Sequence, residues 1–266
     1  MNTVKLYLHS MKMLLKSQLQ YPWSFCLQTI AQIVMEGGEM MAVLLILNRF
    51  QALNQWTGGD LLFFFGIMSI TFYLTECFGR GITGNFAALI RSGNLDTFFL
   101  RPRGIMTQVL CHAIDPRRIG CIAVGAAALA LGCRESGVIW TVPKIFLFTE
   151  AVFFGMLLIL GLFLIEAVFA VHSVKSIELV NADTYGGRSA CQSPIDIYPG
   201  PLRVLFGTLA PFALVLHVPA TVILDKPLMG MDGAIAFLCP MAGLMFFIIM
   251  YFVFQKAMKY YRSTGS

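Results

Sequence analysis

The sequence predicts an all-α polytopic membrane protein with six transmembrane helices, preceded by an N-terminal amphipathic helix lying in the membrane interface. Three observations predict it. The chain is 58% hydrophobic and only 12% charged, against roughly 25% charged residues in soluble domains. Its mean hydropathy is +0.75. Apolar runs such as Leu61 to Tyr73, Ile145 to Leu164 and Ala234 to Phe254 reach or approach the about 20 residues a helix needs to cross roughly 30 Å of hydrocarbon.

The elements follow in chain order. Residues 1–24 carry Lys5, Lys12 and Lys16 among Leu and Met, the pattern of an interfacial helix. They lack the small-residue cleavage site of a secretory signal. The six spans are expected at Phe25 to Phe50, Asp60 to Gly81, Arg118 to Cys133, Val142 to Val171, Val204 to Leu224 and Ala234 to Lys256. The third is short and rich in Ala and Gly, and small residues let membrane helices approach closely. Residues 82–117 and 172–203 remain as loops.

Orientation follows from Lys and Arg, which cytoplasmic loops retain. With the N-terminus inside, fifteen of the 19 basic residues fall on the inner side, and only Arg49, Arg134, Lys144 and Lys226 fall outside. Both termini are then cytoplasmic. The net charge of +5 is explained by this topology and calls for no nucleic acid.

The residues offer no catalytic equipment. The seven cysteines show no CxxC pair, which supports neither a disulfide framework nor a zinc site. His9, His112, His172 and His217 have no metal-ligand spacing, and no phosphate-binding loop, nucleophile elbow or HExxH appears.

Polar residues inside apolar runs are the candidates for function. Glu36 and Glu39, in "IVMEGGEMM", share one face of the first span at i and i+3. Ionisable groups at such depth face a bundle interior or water. They either line a transport path that favours cationic or amphiphilic cargo, pair with a basic or amide group of a neighbouring helix, or sit where Gly37 and Gly38 break the helix near a surface. Glu76, Glu150 and Glu166, nearer span ends, read as capping or snorkelling residues.

The loop after the second span is semi-apolar, "NFAALIRSGNLDTFFLRPRGIMTQVL". It reads as a short helix over Asn85 to Arg91, a Ser92-Gly93 break, a second element over Leu95 to Leu100, and a stop imposed by Pro102 on Arg101. Phe98, Phe99 and Leu100 need burial, on the protein's own membrane domain or in a partner's groove.

Here "LIRSGNLDTFFLRPRG" resembles the I-R-x-G-x-L-D-x-x-L-L-R-P motif of the ABC-type export permeases, the type-2 exporters with six spans per subunit. A second stretch, with Gly186-Gly187-Arg188, "SPIDIYPG" and "APFALVLHVPA", resembles the family's later Gly-Gly-Arg, Ile-Tyr-Pro and Pro-Ala pattern. The likeness runs over nearly the whole chain and departs at Phe98-Phe99, where Leu is commoner, and at the charged "HAIDPRR".

The resemblance implies a single permease domain over 1–266, located in a prokaryotic plasma membrane and working with a second copy of itself or a paralogous permease. Two separate cytoplasmic ATPase subunits would bind the ATP and Mg, and this chain no cofactor. It makes 82–117 the coupling loop, with Arg91, Gly93, Asp96, Phe98, Phe99, Arg101, Pro102 and Arg103 as the ATPase-coupling residues. It leaves Gly186, Gly187, Arg188, Pro194, Tyr198 and Pro199 either as a second inner contact to the ATPase or as a structured turn at the membrane edge. It places an outer re-entrant segment at Leu216 to Asp232 and a gate near Pro211 and Pro219. Two other classes compete. An ion-coupled secondary transporter would carry an internal repeat, and none is visible; a membrane-embedded enzyme would need converging catalytic groups.

Overall fold

The computed structural model describes residues 3–50, 56–112, 114–172, 177–197, 200, 211–227 and 233–261. Helices α1 (Thr3–Leu19), α2 (Pro22–Phe50) and α3 (Gly58–Gly79) come first. The short helices α4 (Gly84–Arg91), α5 (Asp96–Phe99) and α6 (Ile105–Leu110) follow, and then α7 (Ile119–Glu135), α8 (Val142–His172) and α9 (Ile177–Cys191). A π turn at Ala213–His217 leads into α10 (Val218–Ile223), followed by α11 (Gly233–Ala236) and α12 (Met241–Lys259). Among the described residues there is no strand.

Among the described residues, four helical stretches are long and apolar enough to cross a membrane: Gly58–Gly79, Pro116–Glu135, Val142–Val171 and Met241–Lys259. Helix α2 has the length at 29 residues, but Gln28, Gln32, Glu36 and Glu39 interrupt its apolar face. The last long helix starts at Met241 rather than Ala234, because a turn ending in Pro240 separates it from α11.

Helix α3 is the axis of the fold, with Phe63, Phe65, Ile67, Met68 and Phe72 fully buried. Helix α7 runs antiparallel to it on small residues. A Cβ on Gly132 would stand 2.5 Å from the Phe63 nitrogen, one on Gly66 2.6 Å from that of Leu129, and one on Gly125 2.9 Å from Ser69 Cβ. Close backbone approach of this kind is how small residues build membrane helix interfaces. Helices α8 and α12 run parallel to each other, with Gly243 against the Phe154 carbonyl and Gly161 against Phe246.

Residues 177–191, expected in an inner loop, form a helix inside the bundle. Tyr185 of α9 donates to Glu76 of α3, and Arg188, one turn on, lies over Phe72 and Tyr73. Farther along, Ile195 N reaches His217 Nδ1, and His217 stacks on Phe64. The chain therefore climbs α3 from Glu76 to Phe64, about 18 Å at 1.5 Å per residue.

The expected fifth span differs as well. Its part at 204–210 lies outside the described residues, and Ala213–Ile223 covers only about 16 Å of rise. Pro219 does not break this helix. It falls within the first turns of α10, directly after the π turn, where a proline's missing N–H is accommodated by the longer hydrogen-bond spacing.

Helix α1 lies against the end of the bundle that carries α4 to α6. Tyr7 Oη donates to the Phe78 carbonyl and Gln18 Nε2 to that of Ile114. Burial pushes the Tyr7 phenol up to about 12, so it remains a donor at any physiological pH.

Candidate functional site

Two buried charge clusters, stacked along α9, form the core of the candidate site. In the first, Glu36 of α2 is 1% exposed and Arg188 6%. Arg188 Nη2 donates to Glu36 Oε1 at 2.9 Å and Oε2 at 2.7 Å, and to Glu39 Oε2 at 2.9 Å. Ser69 donates to Glu36 Oε1 at 2.7 Å, and Tyr73 to its other oxygen. Gln192 Nε2 reaches Glu39 at 3.3 Å. Phe72 and Tyr73 flank the guanidinium, with ring centroids at 5.4 and 4.8 Å.

This geometry brings together Glu36, Glu39 and Arg188, which sequence analysis had assigned to separate motifs. Glu36 is fully enclosed, whereas the Glu39 side chain is 46% exposed. Two carboxylates share one guanidinium, and the partly open one looks outward beside Gly37 and Gly38, where a Cβ would meet nothing within 4 Å.

The second cluster closes the base of the α4 to α6 loop. Glu76, 1% exposed, takes Arg80 at 3.0 Å and Arg118 at 2.8 Å, and accepts the Tyr185 hydroxyl at 3.0 Å. Asp115 holds Arg117 at 2.6 Å and Arg80 at 3.5 Å. Arg118 also donates to Gln32 at 2.7 Å, one turn before Glu36 on α2. Glu76 and Glu166 are thus buried, which corrects their reading as snorkelling residues. Glu76 is sheathed in arginine; membrane-depth charges persist when they are paired inside the bundle.

The loop itself is a folded unit. Gly93 takes φ +69°, a left-handed conformation that suits glycine, and its N–H bonds to Ile90 O as α4 ends. Leu95 is fully buried and Phe98 5% exposed. Gln108 Nε2 donates to the carbonyls of Phe98 and Arg103, both at 2.9 Å. Leu100 is 86% exposed, and Phe99, half-exposed, stacks on Tyr261 at 5.6 Å. Arg91, Arg101, Pro102 and Arg103 are exposed, and Asp96 is half-buried. Phe98, expected among the coupling residues, is buried and anchors the loop to its own bundle.

The later motif is dispersed. Gly187 is buried against Phe212, while Gly186 is open. Pro194 is buried; Tyr198 and Pro199 lie outside the described residues. Pro211 opens the segment that leads through the π turn to Pro219. At the far end of the bundle, Thr57 and Asp60 form a reciprocal cap on α3, Ser136 donates to Asp60 at 2.8 Å, and Lys226 pairs with it at 2.9 Å. Lys144 pairs with Asp225 at 2.6 Å.

Tyr73, Ser69, Asp115, Arg118 and the Asp60–Lys226 pair are not among the candidates that the sequence alone singles out. The Thr57-x-x-Asp60 spacing was a readable capping signal. The others become visible only once helices far apart in the chain are adjacent. Among the described residues no group of His, Cys, Asp or Glu could hold a metal ion.

No curated protein and no solved structure matches the chain. The family model described as "ABC-2 family transporter protein" matches residues 33–265, a stretch that takes in both buried clusters and the folded loop between α3 and α7. The chain belongs to that family, the membrane components of ABC transporters.

Proposed function

We propose that this chain is the permease subunit of an ATP-driven exporter. It works as a pair of permeases, its own copy or a paralogue, with two separate cytoplasmic ATPase subunits that bind ATP and Mg. The chain itself is non-catalytic. The observation that carries the reading is the loop at 82–117. It is anchored inward by Leu95 and Phe98, presents Leu100, Arg91, Arg101 and Arg103 outward, and is bolted at its base to α9 through Glu76 and Tyr185. An exposed apolar side chain with exposed arginines on the same anchored loop suits docking to a partner.

On this reading the domain spans 1–266 and the six crossings are α2, α3, α7, α8, α9 with its continuation to 197, and α12. The segment from Pro211 to Lys226 is then a second, shorter climb toward the outer face, where the gate lies. Helix α1 rests in the inner interface, and both termini are cytoplasmic, in a prokaryotic plasma membrane. The continuous ascent of α9 supports this assignment over 204–224 as the fifth crossing, since crossings must alternate in direction between α8 and α12.

Coupling follows from chemistry on α9. Tyr185 and Arg188 lie on one face, i and i+3, the first bound to the loop base and the second to Glu36 and Glu39. ATP-driven movement of the loop would shift α9 and exchange Arg188 between its carboxylates, opening or closing a path lined by Glu39. Nucleotide drives the change only through its different affinity for the two states.

Affinity purification of the tagged chain from its native membrane tests this, beside a Leu100→Ala variant. Recovery of an ATP-binding subunit that the variant loses is the expected result. A partnerless, folded chain that transports alone in proteoliposomes under an ion gradient would overturn it in favour of a secondary transporter.

A further inference from the structure

Helix α1 presents four different faces. At 3.6 residues per turn, Tyr7, Leu14 and Gln18 share the face turned to the bundle; all three are half-buried, and Tyr7 and Gln18 donate to the carbonyls of Phe78 and Ile114. Leu6 and Ser10 face the loop between α3 and α7, lining a cavity with Arg101, Pro102 and His112. Leu8, Leu15 and Leu19 are exposed and lie on the side opposite to Leu6 and Ser10, within about 40° of one another.

Lys5, Lys12 and Lys16 make the fourth face, again within about 40°, with His9 beside them and almost opposite the bundle contacts. All four are exposed. The three lysines form no ion pair among the described residues, and none of residues 1–35 is Asp or Glu. The stripe runs about 16 Å along the helix.

The four faces fit one position. With the loop on the cytoplasmic side, the leucines of α1 point into hydrocarbon and the lysines point sideways, away from the protein, at the level of the headgroups. Tyr21 and Trp23, both exposed at the turn into α2, mark the same level, where aromatic rings with a polar tip sit in membranes. A lysine there keeps its stem on lipid and its ammonium on phosphate.

We propose that the stripe of Lys5, Lys12 and Lys16 is a docking surface for anionic phospholipid headgroups, which hold α1 down beside the loop. The proposal rests on the reading of α1 as an interfacial helix on the inner side, and needs neither an ATPase nor a cargo.

The test is native mass spectrometry of the full chain, released from mild detergent after incubation with equal amounts of phosphatidylglycerol and phosphatidylcholine. Phosphatidylglycerol should be retained about fivefold or more over phosphatidylcholine, the preference that about 1 kcal/mol from a single lysine near an anionic surface gives. Lys5→Gln/Lys12→Gln/Lys16→Gln should bring the ratio close to one at an unchanged thermal midpoint, since these side chains are exposed, whereas Lys256→Gln/Lys259→Gln should leave most of it. A ratio unchanged in the α1 variant, or one carried by Lys256 and Lys259 instead, overturns the proposal. An unchanged ratio with loss of a co-purifying protein from the α1 variant overturns it too, and assigns the stripe to an acidic protein. A second arm tests the position of α1. In nanodiscs, on a Cys26→Ser background, Leu15→Cys should be shielded from an aqueous maleimide while Ser17→Cys reacts freely. Equal reaction at both positions overturns the interfacial reading and the proposal with it; a shielded Leu15→Cys with an unchanged lipid ratio overturns the proposal alone.

Discussion

Arg188 Nη2 stands 2.7 Å from Glu36 Oε2 across 152 residues of chain, and the pair is buried on both sides. Removing one partner of such a pair strands the other charge, at a cost of about 3–5 kcal/mol. Glu36→Ala and Arg188→Ala should each lower the thermal midpoint in detergent by several degrees. The double substitution Glu36→Leu/Arg188→Met should recover most of that loss, because desolvation of both charges disappears together. If the double variant is as unstable as the sum of the singles, the pair is not the coupled unit described.

Phe98 and Leu100, two residues apart in the loop, should behave oppositely. Phe98 is 5% exposed and Leu100 86%. Phe98→Ala empties a core position and should cost about 3–5 kcal/mol, read as lost thermal stability of the isolated chain. Leu100→Ala should stay within about 0.5 kcal/mol of the parent and instead lose co-purifying ATPase. Equal stability losses for both would mean the loop is not held as described.

What the sequence made legible followed from apolar runs, and what it hid followed from polarity. Helices α3, α7 and α8 fell within a few residues of their expected bounds because their runs are uninterrupted. In the loop, α4 and α5 were readable from Gly93 and Pro102, and α6 was not. Helix α9 was not, because Asn181, Asp183, Thr184, Tyr185 and Arg188 read as a hydrated loop. At least Tyr185 and Arg188 are polar because their partners are protein, Glu76, Glu36 and Glu39, rather than water. Single-residue hydropathy cannot register a charge that is cancelled from another helix. The same holds for Glu76, whose depth in the bundle depends on Arg118, 42 residues on.

The α3–α7 seam should reject any added volume. A Cβ on Gly132 would meet the Phe63 nitrogen at 2.5 Å and the Gly59 carbonyl oxygen at 2.8 Å, both backbone atoms that cannot rotate away. Gly132→Val should destabilise by about 1–3 kcal/mol or more through overpacking. Gly186→Ala, with open space around its position, should leave the melting temperature close to that of the parent. A well-tolerated Gly132→Val would mean that the helices sit farther apart.

Alkylation should separate the cysteines by environment and pH. Cys26 is exposed and should react fast with maleimide at neutral pH. Cys111 lies outside the long helices, and burial raises its thiol above the ordinary value, with Ser10 and Arg103 opposing. The reactive species is the thiolate, so a raised value means less thiolate at neutral pH. Its rate should keep climbing at pH above about 8.5, where a free thiol is already half ionised. In Arg103→Ala the favourable positive charge is lost, so the Cys111 profile should move further up. An unchanged profile would place Arg103 away from the thiol.

The final prediction concerns transmission along α9. Tyr185 joins Glu76 by a single hydrogen bond of 3.0 Å, and Arg188 one turn away holds Glu36 and Glu39. Tyr185→Phe keeps the ring packed edge-on to Phe72 at 5.5 Å and removes only the hydroxyl, a change of about 0.5–1.5 kcal/mol, or 1.5–3 for a bond to a charged group. The ATPase should still bind, since the loop surface is untouched. The nucleotide-dependent change in distance between spin labels on α2 and α9 should shrink, because Glu76 no longer drags the helix that carries Arg188. Glu76→Gln should do the same more strongly, since it also releases Arg80 and Arg118. A full distance change in Tyr185→Phe, at normal ATPase association, would show that the loop moves the bundle by a route other than this bond.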